Sequence, residues 1–183
     1  MWSVAAAAVI ALGGCGGGSS DSVTTTTTTP PPISDPPFSL RLPPGWRDVT
    51  GLSSRGSGLG ASEEVLVLGR YTRPVAGGAT PSVLVSRPAL AGVLALGAFA
   101  DRTVARLRAR PHATVSAIRR TELDRAPAVT FAARVGHLNR QRQVLVRHGP
   151  DGLQIVFTAP VRQFRRYAAD FERILRSWNW ETG

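Results

Sequence analysis

Three kinds of side chain in this 183-residue sequence have types and spacings from which chemistry is built. The first is cationic. All 22 basic residues are Arg, there is no Lys, and against 12 acids they give a formal net charge of +10. Arg162, Arg165, Arg166, Arg173 and Arg176 recur at the spacing of one helix face and project within roughly 100° of one another. Asp170 and Glu172 flank them, and Glu172–Arg176 has the favourable i,i+4 order. Such a face offers forked hydrogen bonds to carboxylate or phosphate groups. As a plain solvated face it would reflect no more than codon usage. The second kind is imidazole. His112, His137 and His148 each fall at an expected turn or strand end, without His, Asp or Glu at helical ligand spacing. A metal site would require folding to bring two or three of them together. The third kind is carboxylate and hydroxyl. Glu63 and Glu64 are adjacent in a loop and point apart, a poor acid–base pair. Gly56-Ser57-Gly58-Leu59-Gly60 has the composition of a phosphate loop but follows no strand, opens no clear helix and has no Lys. No Ser lies in G-x-S-x-G, and Ser53-Ser54-Arg55 offers no activated nucleophile. No metal, cofactor or enzymatic activity is expected.

The lone Cys15 remains. One Cys excludes an internal disulfide and a Cys-based zinc site. Val4 to Leu12 is an apolar stretch of nine residues, the length of a signal-peptide h-region and too short to span a bilayer. Leu12-Gly13-Gly14-Cys15 resembles a bacterial lipobox. The resemblance implies cleavage just before Cys15 and a diacylglycerol on its thiol. Acyl chains contribute about 0.8 kcal/mol per buried methylene, so two or three hold firmly. The n-region departs from the pattern, since Met1-Trp2-Ser3 supplies only the α-amino group as positive charge. The plainer alternative is a secretory signal in which Cys15 is incidental.

Residues 16–37 follow as Gly, Ser, six consecutive Thr and five Pro. They leave almost nothing to bury, so a disordered tether is expected. Its Asp21 and Asp35 give −2, while the rest of the charge falls in 38–183. The Thr run between prolines has the composition of an O-glycosylated stalk or of a bare spacer. The expected organisation is therefore a signal peptide at 1–14, a lipidated Cys and tether at 15–37, and one domain at 38–183.

Elements that could position the Arg face are legible in the domain. Phe38, Leu40 and Leu42 alternate with polar residues over 38–42, a half-buried strand ended by Pro43-Pro44-Gly45. Residues 65–71 are apolar on both alternating faces, as in a strand covered on two sides, and 82–86 return as a hairpin. A helix is expected over 94–109. Strands are expected near 113–121, 128–135, 141–148 and 153–158, with turns at Ala126-Pro127, Gly136 to Arg140 and Gly149 to Gly152. A last helix starts near Pro160, with Phe164, Tyr167, Ala168, Phe171, Ile174, Leu175 and Trp178 forming a core stripe. Helices separated by strands that return through short turns indicate an antiparallel sheet, not a wound parallel one.

The run FSLRLPPGW at 38–46, the hairpin and helix, the turn-linked strands with Ala126-Pro127-Ala128, and the ending Ile174-Leu175-Arg176-Ser177-Trp178 resemble the PsbP-like superfamily. Within it they are most similar to LpqN-type lipoproteins of mycobacteria. The resemblance implies an α+β fold: an α/β/α sandwich with a mainly antiparallel sheet of about six to seven strands and two main helices. Its members are mostly accessory or binding modules, and it carries no catalytic residues over. An Arg-only, Lys-free composition suits a high-GC actinobacterium. The expected function is a non-enzymatic, lipid-anchored protein on the outer face of the cell membrane. Its partners would be the membrane itself, through Cys15, and an envelope protein or an anionic, amphipathic lipid. For an exported chain no nucleic-acid partner is expected. The alternative is a carrier with an apolar cavity between sheet and helix, where Ala95, Gly97, Ala98, Ala132 and Ala133 would leave room for acyl chains.

Overall fold

The computed structural model describes residues 36–52, 65–76, 79–89 and 91–181. The chain separates into two units, Met1–Ile33 and Ser34–Gly183, and every described residue belongs to the second. The leader, Cys15, the tether up to residue 35, and the Ser, Gly and Glu candidates at 53–64 lie outside the described residues.

In chain order the elements are β1 (Phe38–Ser39), β2 (Arg47–Asp48), a short 3₁₀ turn (Thr50–Leu52), β3 (Val65–Thr72), β4 (Ser82–Pro88), α1 (Leu96–Arg108), β5 (Thr114–Val115), β6 (Arg119–Leu123), β7 (Ala126–Val135), β8 (Asn139–His148), β9 (Asp151–Pro160), α2 (Phe164–Arg176) and β10 (Asn179–Trp180). Eight strands form an antiparallel sheet in the order β2-β3-β4-β9-β8-β7-β5, with β6 also paired to β7. β1 pairs with β10 in a separate two-stranded ribbon. Among the described residues no helix is long and apolar enough to cross a membrane.

Strand alternation assigns each helix to a face. Val129, Phe131 and Ala133 of β7 and Leu145 of β8 pack with Phe99, Ala100, Val104 and Leu107 of α1. The intervening Ala128, Val144 and Val146 pack instead with Phe164, Tyr167, Phe171 and Ile174 of α2, together with Val83, Val85, Leu153, Ile155 and Phe157. Neighbouring strand residues point to opposite faces, so α1 and α2 cover opposite sides of one sheet. Each fully buried Phe, Ile or Val adds roughly 1.5–3 kcal/mol. The expected sandwich is thus present, with eight strands in the sheet where about six to seven were expected.

The extra strands are short ones. The expected strand over 113–121 is two, β5 and β6, because Ser116 turns outward. Its backbone N–H donates to Ala132 O at 2.9 Å while its hydroxyl accepts from Ala132 N–H at 2.9 Å. The expected turn at Ala126-Pro127 sits two residues earlier, at Asp124 and Arg125, whose φ of +44° and +66° close a tight primed hairpin. Ala126 and Pro127 belong to β7. The last helix begins at Phe164 rather than near Pro160. Pro160 still pairs with Asn139 as the end of β9, and the Val161 N–H donates to Leu138 O at 2.9 Å. β3 is not covered on two sides. Val65 and Val67 are only half-buried, because α1 packs over β5, β7 and β8.

A close crossing lets the chain pass from β4 to α1. A Cβ on Gly152 would overlap the Ala91 carbonyl, so only Gly lets the 91–95 segment run across the start of β9. Arg147 holds that segment down by donating to Leu94 O at 2.6 Å and Gly92 O at 3.1 Å.

Candidate functional site

The outer side of α2 and the turn before it form the most concentrated basic surface that the sequence singled out. Phe164, Tyr167, Phe171 and Ile174 turn into the core and are buried. The helix period therefore turns Arg165, Arg166, Arg173 and Arg176 outward, where all four are exposed. Arg162 is exposed too, but it lies in the turn ahead of the helix. The four on the helix thus share its outer side, and Arg162 lies just ahead of it. Arg166 rests over the Tyr167 ring at 5.7 Å. Among the described residues Arg162, Arg165, Arg166 and Arg176 have no carboxylate partner.

The two acids expected to flank this face do other work. Asp170 is buried on the inner side. Its Oδ2 accepts from Trp46 Nε1 at 3.1 Å and Arg73 at 2.6 Å, and its Oδ1 from Arg173 at 3.0 Å. Pro43 to Trp46 aims the indole. Gly45 has φ +84°, and the Trp46 N–H closes the turn on Pro43 O at 3.1 Å. That is a type II turn, which requires Gly at this position. Glu172 does not take the expected i,i+4 partner Arg176. It pairs with Arg142 of β8, which also lies over the Phe171 ring at 5.5 Å. The guanidinium of β8 is held beside Glu172 by the sheet, whereas Arg176 must be fixed from a long free rotor.

Folding brings two of the three His together. His112, at φ +56° after α1, lies against His137 of the β7–β8 turn with ring centres 5.0 Å apart. His148 is elsewhere, stacked on Trp180 at 4.3 Å. Among the described residues no three His, Cys, Asp or Glu gather as a metal site.

Among the described residues, the surface clefts include a pair. One, of about 330 Å³, lies between α1 and the 116–118 segment, with Asp101, Val104 and Arg108 on its walls. The other, of about 380 Å³, lies over the outer edge of β5, β7 and β8, with Arg134 and Arg140 on its walls. Neither is the expected cavity between sheet and helix. Gly97 and Ala98 are solvent-exposed and Ala95 largely so, while Ala133 is buried under α1. Ala132 lies on the other face.

Asp48 and Tyr71 face each other across β2 and β3. Burial, and then the Asp48 charge, push the Tyr71 phenol from 10.0 up to about 12. The Asp170 clamp and the Arg134–Arg140 cleft were not singled out in the sequence. The first joins residues 124 positions apart, which no local pattern carries. The second was accessible, because Arg134 and Arg140 stand equally far from His137 at the hairpin tip.

No protein-family model matches the chain, and no curated protein matches it. Solved structures share its fold. Mycobacterium tuberculosis LpqN, described as involved in cell envelope biogenesis, aligns with a TM-score of 0.57 at 16% identity, over 79% of this chain and 83% of that one. Synechocystis PsbP aligns with a TM-score of 0.52 at 15% identity, over 79% and 86%. A Pseudomonas aeruginosa protein of unknown function aligns with a TM-score of 0.55 at 15% identity, over 69% and 89%. The chain therefore has a PsbP-like fold.

Proposed function

We propose that this chain is an actinobacterial lipoprotein, a non-enzymatic accessory or binding protein held outside the cell membrane by a lipidated Cys15. In this reading the Arg-bearing outer side of α2 engages an acidic envelope protein or an anionic, amphipathic envelope lipid. The observation that carries it is an order of parts: Leu12-Gly13-Gly14-Cys15, then a Thr/Pro tether, then a fold shared with an envelope-biogenesis protein. Anionic headgroups contribute about 1 kcal/mol for each Arg near a charged surface, and a tether of about 20 residues keeps the domain within reach. The carrier alternative is weakened by the exposure of Gly97 and Ala98, which places them on the solvent side of α1.

Crosslinking in living cells followed by capture of the full chain tests this reading. A captured envelope protein or lipid, lost when Arg162, Arg165, Arg166 and Arg176 are changed together to Gln, is the expected result. Capture of nothing beyond what an unrelated lipoprotein captures would overturn it.

A further inference from the structure

The cleft at the β5 edge lies on the α2 side of the sheet, at the end where that helix begins, and has its own electrostatic problem. Arg134 of β7 and Arg140 of β8 are directly opposed across the strands. Opposed residues on antiparallel strands share a face with Cβ atoms ~5 Å apart, and like charges there are destabilising. Among the described residues neither Arg has a carboxylate partner or a hydrogen-bond acceptor. Arg140 lies over the Phe164 ring at 4.8 Å, and a ring offers no acceptor to its N–H groups.

The walls of the cleft supply no negative charge either. Thr114 pairs with Arg134 and Arg119 with Thr130, so both join Arg134 and Arg140 on this face of the sheet. Arg142 shares the face as well, but Glu172 neutralises it. The walls of the cleft, about 380 Å³, include Thr114, Ser116, Ala132, Arg134, Arg140 and Val161, with no acid among them. A pair of forked, permanently charged donors held by a rigid hairpin matches the oxygens of a phosphate. The adjoining Thr114 hydroxyl is a further donor, and Ala132 and Val161 offer apolar surface to whatever the phosphate carries.

We infer that this cleft binds a phosphate-bearing anion, with Arg134 and Arg140 as its paired ligands. The repulsion between them is what the anion relieves. The site stands on the cleft alone and does not depend on the Cys15 anchor or on the α2 face.

The full purified chain would be titrated with inorganic phosphate while the Arg side-chain N–H signals are followed by NMR. A second titration would use vesicles of equal parts phosphatidylcholine and phosphatidylglycerol. Arg134→Gln and Arg140→Gln are each expected to weaken saturable phosphate binding about tenfold. Arg47→Gln, on the short strand at the opposite end of the sheet, is expected to leave it unchanged. In phosphate-free buffer Arg134→Gln, which removes the like-charge pair and keeps the Arg140–Phe164 contact, should melt about 1–4 °C above the parent. Vesicles that displace phosphate would identify the source as a lipid headgroup, and vesicles that do not would identify it as the free anion. Absence of saturable binding, or an equal loss in Arg47→Gln, would overturn the site.

Discussion

Asp170 is a single carboxylate that ties three distant parts of the chain together: Trp46 ahead of β2, Arg73 after β3, and Arg173 on its own helix. Removing it leaves a buried indole N–H and two guanidiniums without their acceptor. Asp170→Ala is expected to cost about 3 kcal/mol in urea unfolding. Asp170→Asn should cost less, because the amide keeps one acceptor. A loss within ~0.5 kcal/mol would mean the clamp contributes nothing. Tyr71 gives a pH signature. Its folded form holds the proton up to about 12, whereas the unfolded phenol releases it near 10.0. This contribution is complete below pH 10 and is lost as pH rises through 12. Stability should therefore fall across pH 10–12 by urea titration, and Tyr71→Phe should remove that part of the fall. At this scale the sequence was only partly legible. The outward-facing Arg of α2 followed from helical period alone. Asp170 was misplaced as a flanking surface acid, because its partners Trp46 and Arg73 come from far away in the chain. Glu172 was given the nearer Arg176, since sequence distance says nothing of β8 lying underneath.

Elements were read more successfully than their joints. Both helices and the long strands β3, β4, β7, β8 and β9 follow from apolar periods that tertiary packing then enforces. The two-residue strands β2 and β10 carry no period to read, and β10 exists because Trp178 and Trp180 close on Phe38. The β6–β7 turn was missed because its residues are unusual for it. A tight turn with both central residues at positive φ prefers Asp-Gly or Asn-Gly, yet the second position is Arg125 at +66°. Asp124 suits the first position, and its carboxylate accepts the Trp180 N–H at 3.0 Å. Arg125→Gly is expected to stabilise the fold by about 1 kcal/mol in urea unfolding, by removing left-handed strain. Asp124→Gly should lose stability, since it detaches β10. A destabilised Arg125→Gly variant would mean that this residue is not held in the left-handed region.

At the scale of the molecule, a helix–sheet–helix body carries basic surfaces that include the outer side of α2 and the β5-edge cleft. The interior residues explain why this body is stable. The fold was legible because it is dictated by layers of alternating and helical apolar residues. The partner was not, because exposed Arg side chains fit any anion that reaches them, and only location limits which anions do. Location rests on Cys15, so the most direct measurement is the intact mass of the mature protein recovered from fractionated cells. A lipoprotein would appear as a membrane-bound species beginning at Cys15 and heavier by a diacylglyceryl group on its sulfur, and this is the predicted result. A cytosolic species with the leader uncut and the thiol bare, or an unmodified N-terminus downstream of Cys15, would contradict it.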